Sequence, residues 1–199
     1  MDGLKWEIAQ TAATKIVDDG MSWGLAKRHA AEDLGLPART ALPGNDLVLQ
    51  AVREHIALFG DEAQAQHLLE LRQLALHWMS RMSAYHPHVS GAVWLGIATQ
   101  WSDVHLDLYC DDPKMPEIDL LNQGLSFDTG EGLGARGEPV PQVIVMAQLP
   151  QRRSAVAVIM TLYDANDLRG ALKPGASGEA PRGDAKALRQ RIDAAQEMG

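Results

Sequence analysis

Hydrophobic side chains recur at helical spacing through the first part of the chain and at strand spacing beyond it. Leu4, Ile8, Ala12, Ile16 and Val17 fall three or four residues apart and predict a helix ending near Gly20. Ser22 stands where it caps a second helix through Trp23, Ala26, Ala30 and Leu34, closed by Gly35 with Pro37 beyond. Residues 37–44 read as a connector. Asn45 then caps a third helix carrying Val48, Val52, Ile56 and Phe59, stopped by Gly60. Asp61 opens the longest helix, with Leu68, Leu71, Ala75, Trp78, Met79 and Met82 on one stripe that predicts a core face, and Pro87 ends it.

Beyond residue 90 the period changes. Ala92, Val93, Trp94 and Leu95 form a continuous apolar run ending at Gly96, the pattern of a strand buried on both faces. After a short turn, strict alternation places Val104, Leu106, Leu108 and Cys110 on one face and Asp103, His105, Asp107 and Tyr109 on the other. Residues 113–122 predict a helix, with Met115, Ile118 and Leu121 inward, Pro116 in its first turn and Gly124 as its stop. Short strands are expected at residues 125–127 and 143–146. Residues 155–163 predict another, with Val156, Val158, Met160 and Leu162 facing one way. A loop rich in Gly and Pro at residues 174–183 leads to a last helix through Leu188 and Ile192. The expected class is α+β: residues 1–60 form an all-helical region, and residues 61–199 a mixed sheet covered by helices.

Composition narrows the function classes. With 199 residues, 46% of them apolar and 22% charged, the chain can build a real core. A formal charge of −8 argues against a nucleic-acid binder with a broad basic surface, because that affinity comes largely from neutralising phosphates. The short basic run Lys27, Arg28 and His29 reads as a solvated face, and the 37–44 connector is too long for a helix-turn-helix. No window approaches an apolar membrane span, and the first residues lack a signal-peptide pattern. The single Cys110 permits no internal disulfide and sits on an apolar strand face. A cytoplasmic location is therefore expected.

Three motifs carry candidate chemistry. Gly132, Gly134 and Gly137 spell a dinucleotide fingerprint, but Pro139 and Pro141 deny it the helix that such a site needs, so a hairpin loop is expected instead. His86 and His88 flank Pro87 without a third metal ligand at a recognised spacing. Asp103, His105 and Asp107 project from one strand face and form the strongest candidate site.

The order of an apolar stretch ending in Gly96, a turn, and Ser102-Asp103-Val104-His105-Leu106 resembles the nucleotidyltransferase core shared with DNA polymerase β, over residues 89–164. The resemblance implies transfer of a nucleotidyl group from a nucleoside triphosphate. Asp103 and His105 would hold a divalent metal (magnesium or manganese), Asp103, His105 and Asp107 would be catalytic, and Gly96, Thr99, Ser102 and Lys173 would contact the nucleotide, with Arg169 and Arg182 as further cations. The chemistry of such a family needs hard cations held by oxygen ligands, hence paired carboxylates two apart on a strand. This chain departs from that pattern. Ile97 follows Gly96 where the family has Ser, and His105 replaces the second carboxylate. Asp103 and Asp107 stand about 13 Å apart along an ideal strand. The later strand at residues 155–163 holds no carboxylate, and Asp164 sits at its end. The alternative expectation is a catalytically degenerate domain that binds a nucleotide or a protein partner.

Overall fold

The structure, a computed structural model, describes residues 2–134, 137–149, 155–171, 173 and 178–197. It divides into two compact units, Met1–Gln66 with Thr99–Trp101, and His67–Ala98 with Ser102–Gly199.

The first unit is helical, built on α1 (Asp2–Val17), α2 (Trp23–Asp33) and α3 (Asn45–Phe59). Its interior is made of small residues, with Ile8, Ala9, Ala12, Ala26, Ala30, Val48, Ala51 and Val52 buried, as the periodicity predicts for most of them. Leu4 and Phe59, which the same periods placed on the apolar stripes, are exposed. Lys27, from the basic run, donates to the Asn45 side chain (3.0 Å) and to the Pro43 carbonyl (3.3 Å), tying down the connector it faces. Trp101 lies against Gly20, where a Cβ would fall 2.6 Å from the indole, and its Nε1 donates to the Asp18 carbonyl.

The second unit is α+β. It contains most of α4 (Glu62–Arg81), then β1 (His88–Ser90), α5 (Gly91–Leu95), β2 (Val104–Cys110), α6 (Lys114–Asn122), β3 (Asp128–Leu133), β4 (Pro139–Gln148), β5 (Ala155–Asp164), β6 (Arg182–Gly183) and α7 (Ala185–Glu197). The six strands among the described residues form one mixed sheet in the order β3-β4-β5-β2-β1-β6. The β2–β5 pair is parallel and every other pair antiparallel.

The register of the central strands is the one the alternation predicts. Val104, Leu106 and Leu108 stand opposite Val158, Met160 and Leu162, and all six are buried on one face. Val89 joins them from β1, and Val143 and Val145 from β4. Leu71, Ala75, Trp78 and Met79 of α4, Trp94 of α5, Leu120 of α6, and Leu188 and Ile192 of α7 belong to the same core.

Three local expectations are corrected. Residues 92–95 form α5, one short helical turn, rather than a strand. Gly91 (φ 66°) turns the chain off β1, and Gly96 (φ 76°) is a left-handed C-cap, so two glycines bracket the turn between them. The first central strand is His88–Ser90, just upstream. In α6, Met115, Ile118 and Leu121 are exposed, while Pro116 and Leu120 point inward. That rotation is pinned by the Tyr85 hydroxyl, which donates to the Asp119 carboxylate. The strand expected at residues 125–127 starts instead at Asp128. Gly132 therefore lies inside β3, and the chain after Gly137 enters strand β4 at Pro139 with no helix, as the prolines require. Of the loop expected at residues 174–183, residues 174–177 lie outside the described residues.

Candidate functional site

The face of the sheet opposite the core carries the polar residues of β2. Cross-strand pairing lays them out in two rows. Arg182, Ser90, His105, Ile159 and Ile144 follow one another across β6, β1, β2, β5 and β4; His88, Asp107, Thr161 and Gln142 form the next row across β1, β2, β5 and β4. Tyr109 and Tyr163 stand opposite each other one step further on, their rings stacked at 5.6 Å.

This face is not a solvated strand surface. Asp107 is 5% exposed, and Tyr109, His88 and Thr161 are buried with it, whereas His105, Ser90, Tyr163 and Arg182 are half-buried. A carboxylate at that depth needs compensation, and Arg182 supplies it: its Nη1 lies 3.1 Å from Asp107 Oδ2 and donates to the Tyr109 hydroxyl at 2.7 Å. The guanidinium also sits 5.7 Å from the centre of the Tyr163 ring. Burial nonetheless outweighs the help from Arg182 and from a Ser90 hydrogen bond, and holds the Asp107 carboxyl above its usual range. Burial likewise pushes the Tyr109 hydroxyl up to about 12, against the lowering effect of Arg182. His88 meets Tyr109 edge-on at 5.5 Å. His105 packs over Gly91, where a Cβ would stand 3.5 Å from the imidazole.

The other predicted residues are dispersed. Asp103 precedes β2, and its Oδ1 accepts the Ala157 backbone N–H at 3.2 Å, a bond that ties β2 to β5. Gly96 caps α5 beside Arg72, whose Nε donates to the Val93 carbonyl. Thr99 belongs to the first unit and accepts the Trp101 N–H. Ser102 is half-buried just before Asp103. Lys173 is exposed, with its backbone N–H on the Gly170 carbonyl. Asp164 caps the 3-10 turn Ala165–Gly170 through the Asn166 N–H. Of the resemblance's residues, the sheet brings His105 and Asp107 together with Ser90, Tyr109 and Arg182.

A two-metal centre does not fit these donors. The Asp103 carboxylate is engaged by backbone, and the Asp107 carboxylate faces a cation already. The β5 residues opposite His105 and Asp107 are Ile159 and Thr161, neither of them a carboxylate. Among the described residues, no three His, Cys, Asp or Glu side chains converge in a way that could hold a metal ion. Sequence reasoning missed Ser90 as a member of the face, placed Tyr109 on it without a role, and offered Arg182 only as a further cation for the nucleotide. The alternation did place Tyr109 beside Asp107; nothing local pointed to Ser90 or Arg182, because their strands are three and two residues long.

Comparison of the chain with protein-family models and with curated proteins finds no match. Among the described residues, no helix is long and apolar enough to cross a membrane.

Proposed function

We propose that the second unit is a nucleotidyltransferase-like scaffold that binds a nucleotide on its polar sheet face without metal-dependent transfer. The likeness rests on the sequence pattern of residues 89–164, and the flanking of β2 by β1 and the parallel β5 supports it. The observation that carries the degenerate reading is the ion pair of Arg182 with Asp107, because a guanidinium stands where a catalytic carboxylate would face a cation. What the face offers a ligand is mainly donor chemistry: the Arg182 guanidinium, the His105 imidazole and the Ser90 hydroxyl. Such donors suit the oxygens of a phosphate ester or a base edge, and they need no bridging cation.

The test is calorimetry of the full chain with ATP, GTP, CTP and UTP, first in chelator, then with magnesium, then with manganese. Binding of one nucleotide in chelator, weakened by Arg182→Ala and by His105→Ala, supports the reading. Binding that appears only with metal, or release of pyrophosphate, returns the transfer reading, in which Asp103 and His105 hold the ion and His105→Asp strengthens it. If no nucleotide binds under any condition, nucleotide binding is rejected, and the scaffold is left to a protein partner.

A further inference from the structure

A second concave region meets the polar sheet rows only at His88, where the end of α4 and the start of β1 face the first turns of α7. It is an open cleft of about 580 Å³, lined by Ser80, Ser83, His86 and His88 on one side and by Lys186 and Arg189 on the other. From this arrangement we infer that the cleft is a binding site for a compact phosphate-bearing anion.

The charge pattern carries the inference. The chain has a net charge of −8, and several cations of this unit are committed to partners: Arg182 to Asp107, Arg191 to Glu179, and Lys114 to Glu117. Lys186 and Arg189 are exposed, three residues apart on one face of α7, and among the described residues neither side chain has an ion pair or a hydrogen bond. The acidic side chain lining the cleft is Asp184, and its Oδ1 accepts the Ala187 N–H at 2.8 Å as the N-cap of α7. That cap engages one N–H of the helix end, and the attraction of the site is carried by its side chains.

The histidines complete it. His88 is 6% exposed, and its Nδ1 lies 2.8 Å from the His86 carbonyl oxygen, which can only accept. The proton of the neutral ring therefore sits on Nδ1, and Nε2 is the ring nitrogen that this bond does not engage. His86 adopts a left-handed conformation (φ 46°), which a non-glycine residue takes at some cost, and its carbonyl is the one that orients His88. The hydroxyls of Ser80 and Ser83 add short donors. Two cations, two histidines and two hydroxyls around one cleft match the several oxygens of a phosphate group.

The experiment titrates the full chain with inorganic phosphate, inorganic pyrophosphate and ADP at moderate salt. Calorimetry reads affinity, and the ring signals of His86 and His88 in NMR report location. The parent should bind at least one of the three and move both histidine signals. Lys186→Ala with Arg189→Ala should weaken that binding by at least about tenfold, while Lys114→Ala with Arg39→Ala, an equal loss of charge outside the cleft lining, leaves it unchanged. A preference for ADP over both inorganic anions assigns the phosphate to a nucleotide, and the reverse assigns it to a smaller ester or free anion. All four positions are exposed, so thermal melting shows whether each variant stays folded. No binding at millimolar ligand, or equal losses in the two double variants, overturns the site. Because Arg182→Ala and His105→Ala lie on the sheet face, their effects separate this cleft from the nucleotide reading above.

Discussion

Arg182 and Asp107 meet at 3.1 Å although one comes from a two-residue edge strand and the other from the centre of the sheet. The contact depends on the strap at residues 178–184. That strap is held by the Trp94 indole, which donates to the Ala180 carbonyl at 2.7 Å, and by Arg191, which pairs with Glu179 at 2.8 Å. Arg191 also lies 3.7 Å from the centre of the Trp94 ring and donates to the Trp94 carbonyl. The strap thus delivers one cation to the polar face, and with it removes Asp107 from the pool of metal ligands.

Asp107 gives the pair a pH signature. Its carboxyl is held above the ordinary value of 3.8 because burial disfavours the charge. The native state therefore keeps this proton at pH values where the unfolded chain has lost it, so the group's contribution to stability falls as pH rises from the unfolded value through the folded one. Compared with Asp107→Asn, which does not titrate, the parent should gain relative stability on acidification across that window. Urea denaturation of both proteins at neutral and acid pH measures the difference. A difference that moves the opposite way would mean that Arg182 dominates and the carboxyl lies below its usual range.

Gly183 is a steric requirement. A Cβ there would stand 2.2 Å from two ring atoms of the buried Trp94. Gly183→Ala should cost about 1–3 kcal/mol through overpacking and perturb the Trp94 environment. Thermal melting and tryptophan fluorescence read both; an unchanged melt would show that the strap is not packed as described.

Leu106 is fully buried between Val89 and Met160 in the register of β2. Leu106→Ala should destabilise the protein by about 2–5 kcal/mol, and Ile118→Ala, on the exposed side of α6, by far less. Chemical denaturation of the two variants tests the correction to α6 as well as the register. Equal losses would place Ile118 in the core.

Cys110 is buried, with its Sγ 3.9 Å from the Tyr163 carbonyl. Burial and then the Asp112, Asp111 and Asp164 carboxylates raise its thiol pKa. Since the thiolate is the reactive form, a thiol reagent should label the native protein slowly and the denatured protein at once. Rapid labelling of the native chain would contradict this packing.

The alternating and helical periods of the sequence by themselves determined the class of the protein, the helices other than α5, and the faces of β2 and β5. A buried strand face or helix stripe is a local pattern, and the solvent imposes it wherever the chain folds. They also placed Asp107 and Tyr109 side by side. The periods could not distinguish α5 from a strand, because four apolar residues suit either, and the backbone conformations of Gly91 and Gly96 decided it. Nor could they rotate α6, whose inward face is set by the partner that Asp119 finds in Tyr85. The tertiary structure alone decided the chemistry of the polar face. Whether Asp107 is a metal ligand or half of an ion pair depends on which charge stands opposite it. That charge, Arg182, arrives from a distant strap whose place is fixed by the packing of Gly183 on Trp94, a contact that no local spacing encodes.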